Sequence, residues 1–467
     1  MVYDCIIVGS GPTGIYSAVE FIKKGNNTKV LLIEKGKDIY HRSKPIQQGS
    51  KTIDFKKLPR GYSITTGFGG SGAYSDGKFN ITSEFGGWLT DYLSVGDVTD
   101  LINYVDDINI QHGATQIITD PSNPKVKEIE KRGYAVGLKL LKARLRHLGT
   151  DENLKILTSI FDYLKQHIEM LFDTSVADLI IEDKIVKGVI TSTGERYLAK
   201  KVVLAVGREG AKWLSGICEK YHISMSNNQV DVGVRVETSN IIMEEINENL
   251  YEGKFVYLTS VGTSVRTFCS NPSGHVVLED YDDLKLVNGH AYANSKLGST
   301  NTNFALLVSH KFSEPFNKPN DYAFNIGKLA NELSVGSVIV QKYGDLLKGR
   351  RTTYKRLDEG FITPTLKEAV PGDLSLVLPY KTLKSIIEMI EALNFVTPGI
   401  ATEHTLLYGV ETKFYSARPT VNNSFELVDI KNLYVGGDGA GITRSLAQAG
   451  ANGVYIARQI LKDLDHE

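Results

Sequence analysis

The fold is decided by the stretch Tyr3-Asp4-Cys5-Ile6-Ile7-Val8-Gly9-Ser10-Gly11-Pro12-Thr13-Gly14, which is followed by Val30-Leu31-Leu32-Ile33-Glu34. The apolar run from Cys5 to Val8 predicts a buried parallel strand. Glycines at G-x-G-x-x-G spacing follow this strand, and the next residues carry an apolar face at helical spacing. The second apolar run ends in an acidic residue 20 positions after the last glycine. Together these features predict a βαβ unit that binds a dinucleotide.

The positions of the glycine turn have separate physical tasks. Gly9 permits the tight turn out of the strand, and Gly11 lets the backbone approach a pyrophosphate because it has no Cβ. Gly14 lets the following helix pack closely against the sheet. That helix presents its unpaired N–H groups and its positive dipole end to the phosphates. Pro12 and Thr13 lie between the last two glycines and are included in the predicted cofactor site.

Glu34 is the predicted ribose-binding residue. Its carboxylate can accept hydrogen bonds from the ribose hydroxyls of an adenosine, and it would repel a ribose phosphate, so NADP fits this position poorly. The adjacent Lys35 is included in the predicted site. A glycine-rich turn in an ordinary α/β domain is the alternative interpretation of the whole motif.

Composition and charge narrow the class of protein. The formal net charge is −1, so neither nucleic acid nor an anionic membrane is predicted as a partner. No run approaches the roughly 18 apolar residues needed to cross a bilayer, and the first residues lack the pattern of a signal peptide. Three scattered cysteines, Cys5, Cys218 and Cys269, predict neither a disulfide framework nor a metal site. We therefore expect a cytoplasmic protein without a bound metal.

The C-terminal region distinguishes FAD from NAD. Residues 432–441 read as a short strand that enters a glycine-rich turn, with Gly437, Asp438 and Gly441 in the turn. In flavoproteins of the two-dinucleotide type, an aspartate at such a strand end accepts a hydrogen bond from a ribityl hydroxyl. The following segment, 445–454, predicts a helix rich in small residues that packs tightly against the cofactor.

A third element agrees with FAD. Residues 201–208 read as a strand followed by a glycine, and this element closes over the adenine half of the cofactor. Ala205, Gly207 and Val176 are the residues predicted to contact the cofactor in this part of the chain. Because the three elements occur in the expected chain order, the sequence predicts FAD.

The electron donor is not specified by a second nucleotide motif. Only one G-x-G-x-x-G of the chain, Gly9–Gly14, directly follows an apolar strand run, and the sequence has no C-x-x-C of the disulfide-reductase type. NAD(P)H, if it reduces the flavin, must therefore dock without a Rossmann domain of its own. The alternatives are a protein donor such as ferredoxin, or the substrate itself.

The predicted architecture is α/β, with a Rossmann-like FAD-binding domain that is discontinuous and an inserted α+β substrate or cap domain. The FAD-binding domain is predicted over residues 1–95, 150–217 and 396–467. Residues 96–149 are predicted to form a helical insertion, and residues 218–395 the substrate or cap domain.

Some elements between the nucleotide motifs are predicted from pattern alone. Helices are expected over Val98–Asp106 and Val126–Leu141, and a returning strand over Leu154–Leu157. Val176–Ile181 and Lys187–Ser192 alternate with turns, which is typical of the β-meander in such domains.

Several segments together resemble a widespread group of bacterial FAD-dependent (NAD(P)/FAD-type) dehydrogenases, with a glutathione-reductase-like flavin fold distantly like that of geranylgeranyl reductases. The resemblance covers nearly the whole chain. Besides the two terminal flavin motifs, it is carried by residues 67–78 (GFGGSGAYSDGK), 203–208 (VLAVGR), 231–237 (DVGVRVE), 266–269 (RTFC), 287–289 (VNG) and 407–415 (LYGVETKFY). The resemblance implies a flavin oxidoreductase but no particular substrate. Many relatives have Cys-Met-Cys-Pro-Gly where this chain has CSNPS at residues 269–273.

The loop 67–78 is predicted to pass over the flavin. Its glycines, including Gly69 and Gly70, permit close backbone approach and positive φ. Backbone N–H groups near Ser71 and the ammonium of Lys78 can stabilise negative charge on the reduced ring or on the phosphates. Asp76 fits a loop-stabilising role through bonds to the backbone.

Four side chains are candidates for catalysis. His404 is a natural proton donor, or else a neutral loop histidine. Tyr408 can donate a proton or simply pack, and Cys269 is either a charge-transfer thiol or a small hydrophobic residue. Arg444 can hold a substrate carboxylate in bidentate fashion, or pair with a phosphate or structural carboxylate.

The sequence favours an FAD-dependent dehydrogenase or reductase that transfers a hydride between flavin N5 and a small or medium organic substrate. The protein would position and protonate the substrate. A flavin monooxygenase is the first alternative, because a Gly-Asp turn such as Gly437-Asp438 also occurs in aromatic hydroxylases. A flavin-binding redox sensor without turnover is the second.

Overall fold

The computed structural model describes residues 2–25, 27–42, 65–75, 77–250, 253–281, 283–291 and 295–466. The chain divides into two compact units. Unit 1 comprises residues 1–119, 143–226 and 416–467, and unit 2 comprises residues 120–142 and 227–415. In the part of the chain that the structure describes, no helix combines the length and apolar character needed to cross a membrane.

The strands are, in chain order, β1 (Val2–Val8), β2 (Val30–Ile33), β3 (Lys78–Ile81), β4 (Leu138–Leu141), β5 (Arg144–His147), β6 (Glu169–Leu171), β7 (Val176–Glu182), β8 (Ile185–Thr191), β9 (Arg196–Leu204), β10 (Met225–Ser226), β11 (Val230–Ser239), β12 (Lys254–Leu258), β13 (Ser264–Asn271), β14 (His275–Tyr281), β15 (Leu284–His290), β16 (Asn301–His310), β17 (Ile339–Lys342), β18 (Val370–Pro371), β19 (Leu406–Lys413), β20 (Arg418–Pro419) and β21 (Leu433–Val435). The helices are α1 (Pro12–Lys24), α2 (Val95–Gln111), α3 (Pro124–Tyr134), α4 (Gly149–Lys165), α5 (Ala211–Lys220), α6 (Asn240–Asn249), α7 (Pro319–Leu333), α8 (Tyr343–Leu347), α9 (Tyr354–Asp358), α10 (Tyr380–Val396) and α11 (Leu446–Asp465).

Unit 1 is built on a sheet with a parallel core, which confirms the predicted α/β class with a Rossmann-like fold. The strand order is β6-β2-β1-β9-β8-β7, and β21 pairs in parallel with the second half of β9. The first strand, β1, lies between β2 and β9 and is parallel to both. Its residues Cys5–Val8 are buried, as the apolar run predicts. The meander strands β7 and β8 are also confirmed, and they pair antiparallel.

Helices α1 and α11 pack in close contact because small residues line their interface. A Cβ added to Gly453 would lie 2.1 Å from the backbone oxygen of Thr13, and one added to Gly450 would lie 2.8 Å from the Tyr16 ring. The hydroxyl of Ser17 donates to the backbone oxygen of Gly453 at 2.8 Å. The small residues of 445–454 therefore serve the packing of α11 against α1, whereas the sequence predicted them to serve close packing against the cofactor.

Unit 2 contains an eight-stranded sheet of order β18-β17-β19-β11-β16-β13-β12-β4. Along β11 the residues alternate between two faces. Val230, Val232, Val234 and Val236 belong to an apolar core that also includes buried residues of α10. The intervening residues of β11 include buried charged side chains, so the opposite face of this sheet is polar.

Two predicted elements are wrong. Residues Leu154–Leu157 do not form a strand but lie within α4, where Ile156, Ile160 and Leu164 are buried at helical spacing. The helix expected over Val126–Leu141 ends at Tyr134 and is followed by strand β4. Gly137 lies between them with a φ of 76°, a conformation that stops a helix.

The two units do not have the boundaries expected from the sequence. The expected helical insertion 96–149 is split, since only residues 120–142 of it group with unit 2, where β4 pairs with β12. Residues 218–226, expected in the cap domain, belong to unit 1. The chain returns to unit 1 at residue 416 rather than 396, because α10 and β19 pack and pair with the sheet of unit 2.

We predict that Gly453→Ala lowers the free energy of unfolding by about 1–3 kcal/mol, because the added methyl overlaps a backbone oxygen of α1. Gly216→Ala is the matched control, since a Cβ at Gly216 on α5 meets nothing within 4 Å. It should stabilise the protein by up to about 1 kcal/mol through helix propensity. Urea unfolding of both variants measures the difference, and equal effects would contradict the packing argument.

Candidate functional site

A cavity of about 590 Å³ lies within unit 1. Its walls are formed by the β1–α1 turn, the end of β2, residues within 65–75 and 78–80, residues 174–176, the segment after β9, and the segment from 437 to the first turn of α11. The carboxyl ends of parallel strands β1, β2, β9 and β21 thus contribute to one cavity, which is where open α/β sheets bind their ligands.

Most residues of the predicted cofactor site border this cavity: Gly9, Gly11, Pro12, Thr13, Glu34, Lys35, Gly70, Ser71, Lys78, Val176, Ala205, Gly207, Gly437 and Asp438. Gly14, Gly69 and Gly441 are not among its bordering residues. Gly14 serves packing, because a Cβ there would lie 2.0 Å from the backbone oxygen of Gly9. The Gly69 amide donates to the Ser10 carbonyl at 2.8 Å, and Gly441 ends the turn after Asp438 in the left-handed region.

The amino end of α1 is open toward a ligand. Gly11 is the N-cap and supplies no side chain to bond the first turn of the helix. A Cβ added to Gly11 meets nothing within 4 Å, whereas one added to Gly9 would lie 2.4 Å from the Ala205 oxygen. Gly9 is thus required by the neighbouring strand, while Gly11 leaves space beside amides that can bind an anion.

The Glu34 carboxylate joins three chain segments. Its Oε2 accepts from the amide and the hydroxyl of Ser10, at 2.9 and 2.8 Å. Its Oε1 accepts from the amides of Gly36 and Gly67, at 2.8 and 2.9 Å. The side chain is buried, and these bonds fill the four acceptor positions that a carboxylate offers. The predicted bond to a ribose hydroxyl therefore requires a protein donor to give way.

Lys35 reaches across the cavity wall. Its ammonium lies 3.1 Å from Oε1 of Glu209, which follows strand β9. Both side chains are about half exposed, so this ion pair contributes little to stability. Its effect is to join the segments after β2 and after β9 at the edge of the cavity.

Asp438 lies in the turn after β21 and borders the cavity. Its Oδ1 accepts from the hydroxyl of Thr443 at 2.8 Å, and its Oδ2 lies 3.7 Å from Nε of Arg208. Burial raises the pKa of Asp438, and the charges of Arg444 and Arg208 oppose that rise. The turn is held in place where the Gly437 amide donates to Oδ1 of Asn452 at 2.8 Å.

The loop 67–78 contributes both backbone and charge. Arg42 holds it by donating to the carbonyls of Phe68 and Gly70, at 2.6 and 3.1 Å. Gly70, Ser71 and Lys78 border the cavity. Asp76 lies outside the described residues.

Of the four predicted catalytic residues, Arg444 borders the cavity, and the other three belong to unit 2. His404 is stacked on Phe361 with ring centroids 4.0 Å apart, and its buried Nδ1 has no hydrogen-bond partner. Cys269 is exposed on β13, which does not agree with the alternative of a small buried hydrophobic residue.

Tyr408 lies in a setting that opposes proton donation. The side chain is completely buried, and its hydroxyl donates to Oε2 of Glu237. Burial raises the pKa of Tyr408 well above its usual value, and the neighbouring carboxylate raises it further. The phenol therefore keeps its proton at neutral pH, and its surroundings fit a structural role.

A buried ion pair organises the polar face of the unit 2 sheet. Nε and Nη2 of Arg235 donate to the two carboxylate oxygens of Glu411, at 2.7 and 3.0 Å, and both side chains are fully buried. Nη1 of Arg235 also donates to Oδ1 of Asn303 at 2.9 Å. Burial alone would raise the pKa of Glu411, but Arg235 and Lys413 hold it below its usual value.

Several residues that border the cavity were not predicted. They include Asn80, Thr174, Ser175, Arg208, Glu209 and Trp213. Arg208 is the last residue of the predicted strand-glycine element and Glu209 directly follows it, so the position of both could have been inferred from that element. No sequence motif includes Trp213, which lies in the first turn of α5. Its position beside the cavity therefore could not be predicted from the sequence.

Comparisons with known proteins support a flavin-dependent assignment. Residues 229–414 match a family model described as FAD-dependent protein, C-terminal domain-like. An uncharacterized protein of Clostridium beijerinckii is 25% identical over 488 aligned positions, covering 98% of this chain and 81% of that protein. The tRNA uridine 5-carboxymethylaminomethyl modification enzyme MnmG of Pediococcus pentosaceus is 24% identical over 212 positions, covering 35% of this chain and 33% of that enzyme.

Two solved structures are similar over nearly their full lengths. Pyridoxine 4-oxidase from Mesorbium loti has a TM-score of 0.46 at 12% identity, covering 100% of this chain and 99% of that one. Glycine oxidase from Bacillus cereus has a TM-score of 0.37 at 12% identity, covering 99% and 95%. Both TM-scores lie below 0.5.

The matched family region coincides with most of unit 2. It begins at residue 229, just before β11, and ends at residue 414, just after β19. It therefore includes the motifs 231–237, 266–269, 287–289 and 407–414, on which the resemblance to FAD-dependent dehydrogenases partly rests. The match supports FAD as the cofactor, and the narrower likeness to geranylgeranyl reductases stays a prediction.

We predict that Glu34→Gln lowers the free energy of unfolding by about 2 kcal/mol. The amide group would place a donor against donors of Ser10, Gly36 or Gly67, and a buried N–H without an acceptor costs about 1–3 kcal/mol. Urea unfolding of the purified protein measures the change. Glu209→Gln is the matched control, since it removes only a half-exposed ion pair and should cost less than about 1 kcal/mol. Equal losses would show that Glu34 does not join the three segments.

We also predict that Arg235→Leu costs about 3–5 kcal/mol at neutral pH, because it leaves the Glu411 carboxylate buried without its main partner. The pKa of Glu411 would then rise, so the loss should shrink as the pH falls toward the ordinary carboxyl range near ~4. In the native protein the pH dependence of stability has the opposite sign. The lowered pKa of Glu411 contributes stability at neutral pH, and this contribution is lost as the pH falls. The double variant Arg235→Leu/Glu411→Leu should recover much of the loss, and a pH-independent loss would contradict the pairing.

Proposed function

We propose that this protein is an FAD-dependent oxidoreductase that transfers a hydride between the flavin and a small or medium organic substrate. The observation that carries the proposal is that the β1–α1 turn, Glu34, the Ala205–Gly207 segment and Asp438 border one cavity within unit 1. The first two elements, the Ala205–Gly207 segment and Asp438 lie more than a hundred residues apart in the chain, and each was predicted from sequence to contact one dinucleotide. The family match over residues 229–414 supports the same cofactor.

The residues at the cavity fit FAD in their chemistry. The uncapped start of α1 and the open space beside Gly11 suit a pyrophosphate. Asp438 offers an acceptor to a polyol hydroxyl, and Thr443 keeps its carboxylate oriented. The small bordering residues Gly437 and Ala449 leave room for close approach.

Bound FAD would supply the two-electron redox chemistry, and the chain's own side chains would bind, orient and compensate charge. Lys78 and Arg444 border the cavity with Asp438, and these cations can compensate negative charge on the reduced cofactor or hold an anionic substrate group. We propose NAD(P)H or a ferredoxin-like protein as the electron partner; NAD(P)H would dock without a Rossmann domain of its own, since the sequence has no second strand–glycine dinucleotide motif.

The proposal predicts that the gently purified protein is yellow and releases FAD on denaturation. Anaerobic mixing with NADH, NADPH or reduced ferredoxin, followed by visible absorption, identifies the donor by bleaching. A colourless protein that does not take up added FAD would refute the proposal. A yellow protein that no donor or organic substrate reduces would favour a flavin-binding module without turnover.

We predict that Gly11→Val abolishes FAD retention while the protein remains folded. A Cβ at Gly11 has no neighbouring atom within 4 Å, so the valine side chain would enter open space beside the cavity and occupy the position of a phosphate. Gly216→Val on α5 is the matched control, because its Cβ also meets no neighbour and Gly216 is not among the residues that border the cavity. The flavin-to-protein absorbance ratio after gel filtration measures retention, and circular dichroism checks the fold.

A further inference from the structure

We propose that Trp213 stacks on the adenine base and thereby selects an adenine dinucleotide over a mononucleotide flavin. The inference rests on the proposed function and assigns a specific residue to the base. Trp213 borders the cavity and is one of only two tryptophans in the chain. The sequence motifs did not point to it.

One hydrogen bond of Trp213, together with one hydrogen bond of a neighbouring segment, places it at the Glu34 side of the cavity. The Thr174 amide donates to the Glu34 carbonyl at 3.0 Å, which places residues 174–176 beside Glu34. The indole Nε1 of Trp213 donates to the carbonyl of Ala177 at 3.1 Å, in the strand that begins at Val176. Trp213 is therefore held at the wall that also carries the predicted ribose-binding residue.

The segment that precedes Trp213 is tied to the end of β2 as well. Lys35, directly after Glu34, pairs with Glu209, and Glu209 lies four residues before Trp213. Both residues border the same cavity as Trp213. The indole is thus linked to the end of β2 from two sides, through the start of β7 and through the segment after β9.

The chemistry of this wall suits a nucleobase. Val176 and Val206 border the cavity with Trp213, so the wall offers two aliphatic side chains and one aromatic ring. A purine ring stacks on an aromatic side chain through its π-face. Because the Nε1–H already donates to Ala177, the indole is fixed in orientation and loses little freedom when a base binds.

The test uses single-tryptophan variants of the full-length chain, freed of flavin. Trp88→Phe leaves Trp213 as the reporter, and Trp213→Phe leaves Trp88, which is not among the residues that border the cavity. ADP is the probe, because it carries the adenine and pyrophosphate but no flavin that would quench by energy transfer. ADP should quench the fluorescence of the Trp88→Phe variant and leave that of the Trp213→Phe variant unchanged.

Affinity gives the second readout. Trp213→Ala should weaken FAD binding about tenfold, within the range for one base–aromatic stack, whereas Trp213→Phe should retain most of the affinity. FMN binding should not change, since FMN has no adenine. Lys212→Ala, at the exposed neighbouring position, is the control for folding and should bind FAD as the native chain does.

The outcomes separate this inference from the proposed function. Normal FAD binding by Trp213→Ala, with no ADP-dependent quenching of Trp213, would overturn the inference and leave the flavin assignment intact. Quenching of Trp213 by ADP in a chain that binds no flavin would support the base contact and refute the flavin assignment. Equal losses of FMN and FAD affinity would also overturn the inference.

Discussion

The carboxylate of Glu34 is the interaction on which the geometry of the cavity depends. Four donors from Ser10, Gly36 and Gly67 converge on its two oxygens. Hydrogen bonds to an ionised group are stronger than neutral ones, and a buried carboxylate that lost them would be costly. The β1–α1 turn, the end of β2 and the start of the 67–78 loop are therefore held together by one side chain, before any ligand is considered.

This arrangement changes how Glu34 would bind a ribose. Three of its donors are backbone amides, which cannot leave without moving the chain. The hydroxyl of Ser10 is the fourth donor, and it can rotate away. A ribose hydroxyl entering the site would thus compete first with Ser10, and the strength of ribose binding would depend on that exchange. The spacing between the glycine turn and Glu34 does not reveal that Ser10 competes with the ribose for this carboxylate.

The sequence predicted the parts of the fold that are encoded locally. The βαβ unit followed from an apolar run, glycine spacing and one acidic residue, and fourteen of the seventeen predicted cofactor residues border one cavity. The strand predicted over Leu154–Leu157 was wrong because a short apolar run fits a strand and a buried helix equally well. The unit boundaries failed because β4 joins its sheet through pairing with β12, more than a hundred residues later in the chain.

Catalytic candidates were harder to predict because residue type does not determine environment. Tyr408 has the chemistry of a proton donor, but its hydroxyl bonds to Glu237, 171 residues earlier in the chain, and burial strengthens its hold on the proton. Arg235 and Glu411 belong to the motifs 231–237 and 407–415. They form a bidentate ion pair with each other, so neither charge is available to bind a substrate. On the polar face of the unit 2 sheet, the motif residues therefore satisfy one another. Arg444 differs from these residues because it borders the cavity beside Asp438, so of the four candidates it is the one whose surroundings place a charged group next to the predicted cofactor.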